Sequence, residues 1–438
     1  MSPAAVGRQA VIIGAGVIGS AIALELTRRG FHTTNVDKRP EVGFGSTVNS
    51  CAIVRFSYST LEGVMLAYEG LQYWKDWPAY LGVEDERGLA RFVQCGHLMF
   101  RVNEADRAQV IAHYRKLGIP FESWSNEEIR SRLPILTTDS FFPPKPVDDP
   151  QFWSEPVGAL AGGIFVSEAG YVPDPQLATH NLRRATESAG GRFMLRRAVV
   201  RIERAQDRVA GVVLDDGSRL AADVVVNAAG PHSAAVNSMA GVLDDMSIGT
   251  RALRREVHHL PSPAGFDFEH RGVMVSDSDV GIYFRPGSGN SMTLGSADPA
   301  CDPKTWIENP DECDREISDQ QWNAQVYRLA RRVPDLAIPH RAAGVVDMYD
   351  VSDDWIPIYD RSSLHGYYMA IGTSGHQFKN AGAVGRLMGD LIIACESGVD
   401  HDREPVQHRL RYTDRVLNTG AFSRLRAINR NSSFSVRG

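Results

Sequence analysis

The chain predicts an α/β protein: a doubly wound nucleotide-binding domain carrying a β-meander, joined to an α+β domain built on an antiparallel sheet. Three stretches predict it. Residues 11–37, VIIGAGVIGSAIALELTRRGFHTTNVD, hold a strand, a glycine turn, a helix and a second strand in succession. Residues 192–227 alternate with a period of two, and residues 367–398 return to an apolar strand, a glycine turn and an apolar helix.

The first stretch reads residue by residue. Val11, Ile12 and Ile13 suit a buried parallel strand, and Gly14 makes the tight turn that leaves it. Gly16 admits a pyrophosphate to the backbone, and Gly19 lets the helix Ser20 to Arg29 pack closely on the sheet, with Val17 and Ile18 at its entry. Gly30 ends that helix, and the strand from His32 to Val36 delivers Asp37, whose carboxylate can accept hydrogen bonds from a ribose. Strand, spacing, helix stop and acid agree on a Rossmann-like dinucleotide site. Lys38 and Arg39 are candidates for the adenosine end, with an exposed charged turn as the alternative.

Further along, residues 41–50 read as a loop, 53–77 as an extended piece followed by a helix, and 91–133 as a strand and helices. The proline-rich stretch 141–156 is an irregular connection. A helix is expected over 171–192, entered through Pro173 and Pro175 and closed by Gly190 and Gly191. Arg192 to Arg204, Arg208 to Leu214 and Ser218 to Asn227 then read as three successive strands of a meander, ending near Gly230 in a second close approach to the cofactor. Residues 251–300 are strand-rich, 317–333 read as a helix stopped by Pro334, and Tyr367 to Ile371 as a strand leading into the helix that ends by Gly398. The arginine-rich stretch after residue 403 reads equally as a docked arm, a subunit contact or a solvated tail.

Composition narrows the function. At 438 residues, 43% hydrophobic and 23% charged, the chain can form two globular domains. A net charge of −6 argues against nucleic acid or an anionic membrane as partner, and leaves small-molecule chemistry. Five cysteines without CxxC spacing suggest neither a metal site nor a disulfide framework, and no run approaches a membrane span, so a cytoplasmic enzyme without metal is expected.

The split nucleotide domain, the meander before NAAG and the late GTSGHQFK turn together resemble the FAD-dependent D-amino-acid, glycine and sarcosine oxidase family, in its monomeric sarcosine oxidase and dimethylglycine dehydrogenase branches. The resemblance implies FAD, held by a discontinuous domain over residues 1–90, 155–240 and 340–402. Residues 91–154 and 241–339 would form the substrate domain and 403–438 an arm. It implies that the loop with Gly45, Ser46, Thr47, Asn49 and Ser50 wraps the flavin, and that Val199, Val200, Ala229, Gly230, Gly375, His376, Gln377, Phe378 and Lys379 also touch the cofactor. Arg55 aligns with the family's carboxylate clamp and Lys379 with its partner, while Tyr58, Tyr283, Arg285 and His258 are further candidates for the substrate pocket. A guanidinium suits a carboxylate because its donors form a planar fork; as an alternative, Arg55 holds a phosphate or a neighbouring acid.

Three departures from the family pattern matter. Val48-Asn49 and Asp347 stand where relatives attach FAD through histidine or cysteine, which predicts non-covalent FAD, with Cys51 the one nearby thiol. Thr293 stands where oxidases carry an oxygen-activating lysine. The reaction implied is hydride transfer from an N-substituted glycine such as sarcosine, dimethylglycine or iminodiacetate, with oxygen or another acceptor taking the electrons. A D-amino acid or 2-hydroxy acid substrate, a non-catalytic flavoprotein subunit and a flavin monooxygenase are the competing readings.

Overall fold

A computed structural model describes residues 7–437. The opening unit forms as the glycine spacing dictates: strand Gln9–Ile13, helix Val17–Arg28, strand His32–Asp37. These strands lie inside a six-stranded sheet in the order Arg192–Leu195, His32–Asp37, Gln9–Ile13, Val224–Asn227, Tyr367–Ile371, Ile358–Arg361. Every neighbouring pair is parallel except the last. The central strand Gln9–Ile13 is flanked on both sides, which is why Ala10 to Ile13 are all buried.

The helices Val17–Arg28 and Ala381–Glu396 pack together beside this sheet. Small residues set their separation, since a Cβ on Gly385 would lie 2.6 Å from the Ala21 carbonyl oxygen. Pro175–Ser188 also packs on the first helix, entered through Pro175 and capped by Asp174, which accepts from the Leu177 amide at 2.8 Å.

The meander is real but its limits shift. Its strands are Val199–Ala205, Arg208–Leu214 and Arg219–Ala221, whereas Arg192–Leu195 and Val224–Asn227 belong to the parallel sheet. Period-two alternation cannot distinguish a strand of the meander from one that has turned back into the sheet. On the edge strand successive side chains point to opposite faces, so Val199 is buried while Val200 is half exposed.

A second sheet of nine strands is antiparallel apart from the pairing of Met274–Asp277 with His97–Phe100. Its longest strand, Thr250–Pro261, pairs with Gly344–Ser352 along nine residue pairs. An isolated bridge from Val351 to Thr373 ties this sheet to the turn after Tyr367–Ile371, at the mouth of the parallel sheet. The helix Asp319–Arg332 covers part of the second sheet, and its buried Arg332 donates to Asp277 at 2.7 Å and Asp279 at 2.8 Å. Among the described residues no helix is long and apolar enough to cross a membrane.

The helix contact at Gly385 is backbone against backbone. Replacing Gly385 with valine is expected to lower stability by ~2 kcal/mol or more, read as a shift of the urea midpoint. An unchanged midpoint would show that the two helices are not in the contact described.

Candidate active site

Between the two sheets lies a cavity of about 1180 Å³, lined from the first glycine turn, the loop 45–55, the turns at 228–231 and 373–379, and the second sheet. The wall nearest the first helix is bare backbone. A Cβ on Gly14 would stand 2.3 Å from the Ala228 carbonyl oxygen, and one on Gly19 would stand 2.1 Å from that of Gly14. Gly16 begins the helix without a side-chain cap, and no acid lies in its first turn, so the helix N-terminus is left for an anion. Asp37 accepts from the Ala15 amide at 2.8 Å and the Arg39 amide at 2.8 Å, which fixes the glycine turn to the second strand. Thr47 Oγ1 accepts from the Val17 amide at 3.2 Å, bringing the loop over that turn.

Most of the predicted cofactor residues line this cavity: Gly14, Gly16, Val17, Ile18, Asp37, Lys38, Arg39, Gly45, Ser46, Thr47, Asn49, Ser50, Val199, Ala229, Gly230, Gly375, His376, Gln377, Phe378 and Lys379. Gly19 and Val200 do not. Gly19 is the packing point behind the turn, and Val200 faces outward because it follows Val199 on a strand. Lys38 pairs with Asp311 and lies 2.9 Å from His232, so its charge closes one rim of the cavity.

The loop 45–51 is pinned by Asp347, which accepts from Ser46 at 3.1 Å and Asn49 at 2.7 Å and pairs with Arg315 at 2.8 Å. A carboxylate at this position therefore orders the loop. Cys51 lines the cavity with its sulfur 3.4 Å from the Tyr283 hydroxyl, and burial pushes its thiol up, away from the nucleophilic thiolate.

His376 and Lys379 line the cavity, and Tyr58, expected in the substrate pocket, is buried behind them and joins them in one hydrogen-bonded group. Lys379 Nζ donates to the Tyr58 hydroxyl at 2.9 Å and the His376 carbonyl at 2.5 Å, and the Tyr58 hydroxyl donates to the same carbonyl at 2.8 Å. Burial, then the nearby Arg55, push the Lys379 ammonium well below its usual range, and burial pushes Tyr58 up to about 12. Arg55 donates to the Ser57 carbonyl at 2.8 Å and to Val436 at 2.5 Å, stacks over Tyr58, and has no carboxylate partner among the described residues.

Several predicted roles change. The His376 ring is engaged at both nitrogens: Nε2 donates to the Trp355 carbonyl at 2.9 Å and Nδ1 accepts from Gln377 at 2.8 Å. Burial, then Lys379, holds it well below its usual range, and with both nitrogens engaged the ring braces the turn on the cavity wall. His258 lies away from the cavity, fully buried edge-on against Trp322. Arg285 sits behind the wall, stacked on Tyr171 and donating to the Cys51 carbonyl at 2.9 Å, so it supports the loop instead of facing a substrate. Thr293 is buried in the second sheet opposite Arg285 and outside the cavity wall. Tyr283 does line the cavity, in space left by Gly295, whose Cβ would overlap its ring at 2.3 Å.

Sequence reading missed Arg107, Arg255 and the segment 433–437, all of which line the cavity. Arg255 pairs with Asp298 at 2.5 Å. Arg107 stands at φ 67 just ahead of the helix Ala108–Leu117, a left-handed conformation that costs an arginine about 1 kcal/mol.

Known proteins share this fold. A family model described as FAD dependent oxidoreductase, DAO, matches residues 9–391. The chain is 24% identical to "FAD-dependent oxidoreductase domain-containing protein 1" of Bos taurus, over 87% of this chain and 80% of that protein. It is 24% identical to glycine oxidase of Geobacillus kaustophilus, over 89% and 94%. The crystal structure of glycine oxidase from that organism superposes with a TM-score of 0.72 at 20% identity, covering 96% of this chain and 100% of that one. L-proline dehydrogenase from P. horikoshii superposes with a TM-score of 0.73 at 20% identity, covering 96% and 97%.

Asp350, also on the cavity wall, accepts from the Gly372 amide at 2.6 Å and Ser233 at 2.8 Å, yet burial pushes it up to about 7 from its ordinary 3.8. The folded chain therefore keeps a proton that the unfolded chain loses, and its contribution to stability is full below pH 3.8 and lost as pH rises to about 7. Asp350→Asn is expected to unfold at a temperature that gains on the parent between pH 4 and 7. A difference constant across that range would contradict the raised value.

Proposed function

The chain belongs to the DAO family of FAD dependent oxidoreductases, and on that premise we propose that it oxidises the C–N bond of an amino acid, an N-substituted glycine in the first instance. The observation that carries the reading is the pairing of Arg55 with Lys379 beside the nucleotide wall, two buried cations with no carboxylate partner among the described residues. A substrate carboxylate completes them.

The bare glycine turn, the uncapped helix start and the ordered loop 45–51 fit FAD, with Gly14, Gly16, Asp37 and Thr47 at its nucleotide end. Bound there, FAD would supply a two-electron acceptor for the hydride lost as the amine becomes an imine, with oxygen as the final acceptor and hydrogen peroxide as its product. We infer that FAD is held without a covalent bond, which the protonated Cys51 thiol and the carboxylate at Asp347 support.

Arg55 binds the carboxylate through its planar fork of donors. Burial holds the Lys379 ammonium well below its usual range, and a carboxylate arriving beside Nζ favours the charged form. Tyr58 holds Lys379 in place, and His376 with Gln377 rigidifies the turn beneath them. No acid or base of this chain is required at the reacting carbon. Orientation over the acceptor supplies much of the rate. Water then adds to the released imine, and cleavage of its C–N bond gives an amine and an oxo acid or aldehyde. Five unpaired cysteines support a reducing, cytoplasmic setting.

A dehydrogenase using another acceptor is the second reading. It is favoured by Thr293, an uncharged residue buried in the second sheet where the resembling oxidases carry a lysine that would stabilise the electron passing to oxygen.

Arg55→Ala is expected to raise KM for an amino acid substrate about 10- to 100-fold, the loss of a hydrogen bond between charged groups, while an uncharged amine of the same shape is unaffected. Steady-state turnover of both compounds checks it. Equal losses would remove Arg55 from the carboxylate site.

A further inference from the structure

Two cations on the cavity wall have no role in holding the first carboxylate. Arg107 is buried, donates to Ser278 at 3.1 Å and to the Phe100 carbonyl at 3.4 Å, and lies 3.7 Å from Asp106, with Asp277 acting on it more weakly. Arg437 reaches the same region from the far end of the described chain. Its carbonyl accepts from the Ser59 amide at 3.1 Å, and the Ser59 carbonyl in turn accepts from Gln109 at 2.6 Å and lies 3.0 Å from His113 Nε2, both on the helix that Arg107 precedes. The guanidinium of Arg437 has no hydrogen-bond or ion-pair partner among the described residues.

The segment that carries Arg437 is built in, not loose. Arg426 holds Asp354 at 2.8 Å, Ser432 donates to the Asp354 carbonyl at 2.5 Å, and Arg55 donates to the Val436 carbonyl. Arg55, Arg107, Arg437 and Lys379 thus face one cavity with Asp106 as their nearest acid partner, and Asp277 is already spent on Arg332. Their like charges oppose one another: Arg107, then burial, bring Arg437 down to about 9, and burial with Arg55 lowers Arg107. A cavity so charged is electrostatically incomplete without more than one negative group.

We propose that Arg107 and Arg437 form a second anion subsite facing the Arg55–Lys379 pair, so that the preferred substrate is an amino acid bearing a second carboxylate. The inference rests on the reading of Arg55 as the first carboxylate anchor. It makes the segment 432–437 part of the substrate site, and it makes Arg437 a specificity-determining residue.

The test is equilibrium binding to the FAD-loaded protein, read from the flavin spectrum, of succinate, glutarate and adipate against butyrate. Butyrate reports on the Arg55 anchor alone, and the gain from a second carboxylate reports on Arg107 and Arg437. The parent is expected to bind the best diacid about 10-fold or more tighter than butyrate, and Arg437→Ala and Arg107→Gln to cut that preference below about 3-fold with butyrate unchanged. Arg437→Ala alters a side chain without internal partners, so it keeps the test valid if the buried Arg107 variant does not fold. Equal binding of diacids and butyrate by the parent overturns the second subsite and leaves the first. Equal weakening of both ligands by Arg437→Ala, or tighter binding of both, also overturns it. A parent that binds none of the four acids overturns the anchor reading as well.

Discussion

The carbonyl of Gly14 lies where a side chain on Gly19 would have to be, and the carbonyl of Ala228 lies where a side chain on Gly14 would be. These two contacts bring three elements together: the first strand, the first helix and the strand that ends at Asn227. They leave a crevice at the carboxyl ends of the strands, with unpaired helix amides on one side. The cavity, the loop that covers it and the turn after Tyr367–Ile371 are all arranged around that crevice. Only glycine permits the approach, because any Cβ would meet backbone, which cannot give way.

The second sheet turns a nucleotide crevice into a site for chemistry. Through the Val351–Thr373 bridge it lies against the turn that presents His376 and Lys379, and its strand at Gly344–Ser352 supplies Asp347 to the covering loop. Arg55 and Lys379, which face the remaining space, have no acid partner among the described residues. In a low-dielectric setting that arrangement is unfavourable for the empty protein and favourable for an anionic ligand, so part of the binding energy is prepared during folding. Buried Lys379, held well below its usual range, expresses the same cost.

The sequence disclosed the parts that depend on local spacing. The glycine turn, Asp37, the strand Tyr367–Ile371 and the apolar helix after it are legible because each is a contiguous pattern with one physical solution. Arg55 and Lys379 were found through motif position, since nothing local distinguishes a cavity arginine from a surface one. Arg107 gave no signal: a lone arginine between a strand and a helix has no periodicity, and its left-handed backbone is set by tertiary contacts. Arg437 was hidden among arginines that read equally as a solvated tail. His258 and Arg285 were misplaced for the opposite reason. Their two strands are buried on both faces, so the sequence does not say which face meets the cavity and which meets a second layer of packing such as Trp322 or Tyr171.

The central claim is that a carboxylate anchored at Arg55 and Lys379 presents an amine to FAD for oxidation. Anaerobic titration of the yellow holoprotein with amino acids bearing an N-substituent, followed by admission of air, tests it most directly. The account predicts that such a compound bleaches the flavin stoichiometrically and that colour returns with air as peroxide forms. A flavin bleached only by a 2-hydroxy acid, or by none of these compounds, would contradict it.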